Sequence, residues 1–135
     1  MLSVNSVELN EVRNLKAAIS ESEKELEMWR RTATLKVPAQ NGLPKTQNPN
    51  SRVERFAVKI ADESHKLMEL RQRLNDAIPR LESKICHEVA DATARRIFIL
   101  RYVEGMYFRD IGFAMGYSEQ HIYYLHNKTL KSLGI

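Results

Sequence analysis

Residues 109–126 read RDIGFAMGYSEQHIYYLH, and the order of small, apolar and polar residues in this stretch decides the fold. Gly116 stands where a helix would have to stop, and Ser118 is of the type that caps a new one by accepting from its first free N–H groups. The pattern therefore predicts a short helix from about Phe108 to Met115, a connection of three to four residues, and a third helix from the Ser118 cap toward Leu133. Two helices crossing steeply through so short a turn need a small residue where they touch, and Gly112 occupies that place. Ile111, Met115, Tyr117, Ile122 and Leu125 are then expected in a shared core, the spacing of a helix-turn-helix.

With Ile122, Leu125, Thr129, Leu130 and Leu133 turned inward, the outer face of the last helix carries Glu119, Gln120, His121, Tyr123, Tyr124, Asn127 and Lys128. Hydrogen-bonding and flat side chains at a helix start are what a reader of the DNA major groove requires. Gln120 suits bidentate pairing with adenine, Glu119 can accept from a cytosine amino group, and the tyrosines suit thymine methyls or phosphates. Arg109, Lys128, Lys131 and Arg101 are candidates for phosphate contacts, with the Ser118 cap beside them. The bland alternative is a trihelical knob that docks protein only, with the tyrosines covering the helix core.

Working outward, Asp91 is placed to cap a helix through ATARRIFILRYVEG, which should end at Gly105 in the left-handed conformation. Upstream, Val12, Leu15, Ile19, Ser22, Leu26, Trp29 and Ala33 recur at alternating intervals of three and four, a narrow seam on a helix from about Val7 to Thr34. Residues 35–51, LKVPAQNGLPKTQNPNS, are rich in proline and amides and read as a linker. A second long amphipathic helix should carry Val53, Phe56, Ile60, Leu67, Leu70, Leu74, Ile78, Leu81, Ile85 and Val89, with a kink at Pro79 or a stop near Ala77. The expected organisation is a coiled-coil helix over 1–34, a linker over 35–51, a second long helix over 52–90 and a trihelical module over 91–135. The fold class is all-α.

The chain has 135 residues, a formal charge of +4, 28% charged residues and 7% aromatics, so one small core with an extension is expected and polyanions are favoured. A single cysteine, Cys86, excludes an internal disulfide and any multi-cysteine metal site, which points to a reducing cytoplasm. No run of about 18 apolar residues suggests a membrane span, and the amino terminus lacks the pattern of an export signal. His121 and His126 are five apart, not the four that put zinc ligands on one helical face, and the neighbours Cys86 and His87 point apart. No paired carboxylates in a pocket and no glycine-rich phosphate loop are legible, so neither an enzyme nor a cofactor or metal is expected.

The stretch LRYVEGMYFRDIGFAMGYSEQHIYYLHNKTLKSL, residues 100–133, resembles region four of bacterial sigma factors. The wider layout resembles small phage and prophage transcription regulators: an amino-terminal coiled coil, Ala33 and Thr34 before a Pro-rich break, a second long helix, then this module. The resemblance implies a sequence-specific transcription regulator that binds double-stranded DNA. The two apolar-seamed helices either fold back as an antiparallel hairpin or each pair with another subunit, and the little area a lone hairpin buries favours a homo-oligomer through the amino-terminal helices. The alternative the resemblance suggests is a sigma-like factor docking on RNA polymerase. Glycine at 112 and tyrosines in place of arginines on the reading helix differ from sigma region four, so no promoter element is implied. A third expectation, from the coiled coil alone, is an assembly or packaging adaptor that reads no DNA.

Overall fold

A computed structural model of the chain describes residues 4–35 and 49–135, and these fold as an all-α protein. Helix α1 spans Ser6–Thr34, α2 Pro49–Glu88, α3 Ala92–Phe98, α4 Phe108–Met115 and α5 Glu119–Leu133. No strand occurs among the described residues. The chain forms two compact units, one made of the residues up to Lys16 with Arg73–Ile135, the other of Ala17–Gln72. Most of the expected linker, residues 36–48, lies outside the described residues.

The first unit starts from a reciprocal cap. Asn5 Oδ1 accepts from the Glu8 N–H at 2.9 Å, which satisfies one free backbone donor of α1, while its amide donates to Glu8 Oε1 at 3.2 Å and holds the cap in place. The opening turns of α1 then pack Leu9 and Val12 against Ala77, Leu81 and Ile85 of α2 and Val89 just past its end, with Ala94, Phe98, Tyr102 and Val103 closing the same cluster. Two ion pairs run along its edge: Arg80 with Glu11 at 2.8 Å, and Lys84 with Glu8. A second cluster of Ile97, Ile111 and Ile122 fills the space between α3, α4 and α5. Helix α3 therefore buries two faces, Phe98 on one and Ile97 on the other, and this ties the last two helices to the long ones.

Past Phe98 the helix does not continue regularly. Residues Ile99–Val103 widen to hydrogen bonds spanning five residues, ending with Glu104 N–H on the Ile99 carbonyl, and the chain then turns at Gly105 with φ 76°. Lys16 reaches over from α1 to donate to the Val103 carbonyl at 2.6 Å, satisfying an acceptor that the helix end leaves free. The expected single helix through Tyr102 is thus corrected to a short helix with a widened last turn.

In the second unit, Ala17–Gln72, the interior is thin. Ile19, Ser22, Leu26 and Leu67 are buried, and Ser22 donates to Glu63 at 3.0 Å in the middle of the seam. Arg71 pairs with Glu23 at 3.1 Å. Trp29 packs half-buried on Phe56 at 6.0 Å, with Lys59 over its ring. Ala33 and Val53, expected in the seams, are exposed; a two-helix layer has no third wall to cover its ends.

Proline 79 does not stop α2, which runs unbroken from Pro49 to Glu88. The ring is exposed, and so is Asn75, four residues before it, so the carbonyl that loses its donor faces water rather than core.

Candidate nucleic-acid interface

The connection between α4 and α5 is built from its glycines and its serine. Gly116 ends α4 at φ 77°, a conformation only glycine adopts without strain, and its N–H returns to the Gly112 carbonyl. Tyr117 N–H donates to the same carbonyl at 2.9 Å. Ser118 then accepts the His121 N–H at 3.1 Å and starts α5. At Gly112 the two elements meet most closely: a Cβ there would lie 2.7 Å from the Tyr117 carbonyl oxygen.

This arrangement sorts α5 into two faces. Ile122 and His126 are buried, and Leu125, Thr129, Leu130 and Leu133 are half-buried on the same side. Glu119, Gln120, His121, Tyr123, Tyr124, Asn127, Lys128 and Lys131 are all exposed on the other, and Ser118 lies exposed at its head. Arg109 is exposed on the first turn of α4, with Nε 3.7 Å from the Asp110 carboxylate. Across the start of α5 the rings of Tyr117 and His121 stand 5.1 Å apart, His121 and Tyr124 6.2 Å, and the Lys128 ammonium sits 6.0 Å from the Tyr124 ring. One end of the unit thus carries flat rings interleaved with amides and cations. Tyr123 is less free, because its ring lies 4.4 Å from that of Phe108.

Two sequence-based placements are corrected. Tyr117, expected in the shared core, is 41% exposed, because it follows the left-handed Gly116, where the helical phase is lost, and leans on His121 instead. Arg101, a candidate for phosphate, is spent inside the fold: it donates to the Met106 carbonyl at 3.1 Å and covers the Phe108 ring at 4.3 Å. Burial lowers its pKa, with Arg13 adding repulsion.

Sequence reasoning passed over two features. Phe113 is 93% exposed on α4, and a helical wheel finds it, since it lies about 200° round from the buried Ile111. The other is the depth of His126, whose ring lies 5.2 Å from Phe98 and 4.8 Å from Phe108 and whose Nε2 is 2.6 Å from the Tyr102 hydroxyl.

Burial holds the His126 pKa below its ordinary value; the hydrogen bond to Asn127 pulls the other way and the Arg101 charge adds to the lowering. The Tyr102 hydroxyl is pushed up by burial, with Arg101 and Arg13 opposing. Between the lowered folded value and the unfolded value of about 6.5, the unfolded chain binds more protons at this histidine. Its contribution is therefore complete above about pH 6.5 and is lost as the pH falls toward the folded value. Urea midpoints between pH 8 and pH 5 should fall on acidification, and His126→Gln should flatten that part of the slope.

Among the described residues no group of three or more His, Cys, Asp or Glu side chains could hold a metal ion, and no helix is long and apolar enough to cross a membrane. No protein-family model, no curated protein and no solved structure matches the chain.

Proposed function

We propose that the chain is a sequence-specific DNA-binding transcription regulator that lays the leading edge of α5 in the major groove. One observation carries the reading: the first turns of α5 hold Gln120, His121 and Tyr124 exposed together, while Ile122 and His126 anchor the opposite side. A rigid helix start with free amides and rings has the chemistry of base readout. Arg109, Lys128 and Lys131 flank it as phosphate contacts. A module this small buries limited area on DNA, so tight binding calls for two copies. The thin interior of Ala17–Gln72, with Met28 and Met68 uncovered, supports pairing of that unit with a second copy.

Docking on RNA polymerase is the second reading, and one observation favours it. Phe113, so far out of the fold, is more apolar surface than a phosphate backbone uses and is the kind of anchor a protein partner buries.

Gln120→Ala with Tyr124→Ala decides between a reader and a protein-docking adaptor. Selection of duplexes from a random pool with the unaltered chain should yield a common site, and the double variant should lose about tenfold or more in affinity for it with its helical spectrum unchanged. A random pool after selection overturns the proposal. Affinity for polymerase without DNA, abolished by Phe113→Ser, would establish the second reading instead.

A further inference from the structure

The exposed amide of Asn127 is not free to turn. Its Oδ1 lies 3.3 Å from His126 Nδ1, and the Nε2 of that same ring lies 2.6 Å from the Tyr102 hydroxyl. An amide oxygen can only accept, so Nδ1 carries the proton; a neutral imidazole then has a bare Nε2, to which the Tyr102 hydroxyl donates. Both ring nitrogens are thereby satisfied: the hydroxyl donates to the ring and the ring donates to the amide oxygen. Phe98, Tyr102 and Phe108 hold the imidazole in place, at 5.2, 5.6 and 4.8 Å between ring centres. The chain of hydrogen bonds begins in the core of the unit and ends on the face of α5.

We infer that Tyr102 and His126 are positioning residues that hold the Asn127 amide by its oxygen, so that the third turn of α5 presents the NH2 in a fixed direction toward a hydrogen-bond acceptor on the duplex. The inference rests on the DNA-binding reading for its partner but not for its geometry. An asparagine free to turn offers donor and acceptor alike, and on adenine it uses both. An asparagine tethered through one lone pair of its oxygen keeps the other, but it can no longer turn its amide plane to suit a base edge. Its NH2 is aimed at an acceptor, a purine N7, guanine O6, thymine O4 or a phosphate oxygen, whereas Gln120, with no such tether, turns to suit either edge.

The first test needs no DNA. Side-chain 15N spectra of the full chain at pH 7.5 should show His126 with Nδ1 protonated and Nε2 bare; the opposite tautomer overturns the inference. The second uses a duplex recovered by selection with the unaltered chain. Tyr102→Phe keeps the ring but removes the donor, and should weaken that duplex by about two- to tenfold, the worth of one hydrogen bond. Asn127→Ala should then cost less in the Tyr102→Phe background than alone, since the amide is already untethered; strict additivity overturns the coupling. Should Tyr102→Phe not fold, Asn127→Asp replaces the donor by an acceptor and must bind more weakly than Asn127→Ala, and equal binding overturns the donor assignment. Neutral methylphosphonates and 7-deazapurines placed singly in the duplex tell a phosphate oxygen from a base acceptor. If the unaltered chain recovers no duplex, the DNA reading falls while the spectrum still decides how Asn127 is held.

Discussion

Phe98→Ala should destabilise the unit containing α3, α4 and α5 by about 3–5 kcal/mol, the cost of emptying a fully buried aromatic site. Phe98 is completely inaccessible and lies among α1, α2 and α5, with Tyr102 at 5.3 Å and His126 at 5.2 Å. The surrounding elements cannot collapse into the space without moving the long helices, so little of the loss is recovered. For a unit of this size the melting temperature should drop by about 12 °C or more, read by circular dichroism. Against a total of about 5–15 kcal/mol such a loss removes much of the folded population's margin. Duplex binding should fall in step with folding, although Phe98 touches no proposed contact. A shift of a degree or two, no larger than that from the exposed Val7→Ala, would mean that α3 is not the element around which this unit is packed.

Gly112→Val should destabilise the same unit by about 2–3 kcal/mol, near the upper end of what overfilling a packed site costs. The first added carbon would already stand 2.7 Å from the Tyr117 carbonyl oxygen and 3.4 Å from the Glu119 nitrogen. Both are backbone atoms of the turn, fixed by the hydrogen bond from Tyr117 N–H to Gly112 and by the Ser118 cap. Relief requires the start of α5 to swing away from α4, which also moves Gln120 and Tyr124. Alanine at the same place meets the same oxygen but gains up to about 1 kcal/mol of helix propensity over glycine, so Gly112→Ala should be milder. Ala114→Val, on the exposed side of α4, isolates the cost of β-branching and should stay under about 1 kcal/mol. Thermal melts of the three variants rank them, and a Gly112→Val chain as stable as Ala114→Val would sink the close approach.

The turn between α4 and α5 was the most legible part of the chain because its signals are local. A glycine that must adopt positive φ, a glycine that must be small and a serine that must cap each act within four residues, and each stands where the pattern put it. The polar face of α5 followed from the same phase. Tyr117 was misread because helical phase has no meaning across a left-handed residue; an apolar ring in a turn is assigned by its neighbours in space, here His121. The widened turn at Ile99–Val103 left no mark, since ILRYV reads as ordinary helix. The bond between Tyr102 and His126 joins residues 24 apart in sequence and exists only once α3 and α5 are packed. Ala33 and Val53 continued their seams on paper, but apolar periodicity records what a helix can bury, and a layer of two helices cannot bury all of it.

The stretch Ile99–Val103 holds one residue more per turn than a regular helix would. Removing a single amino acid from it would restore the ordinary winding at nearly the same rotational phase, since five residues in the wider turn sweep about as far as four in a regular helix. Gain or loss of one codon here would thus be absorbed in the winding of this one stretch, with α4 and α5 kept in place so long as Tyr102 and Val103 stay in their cluster.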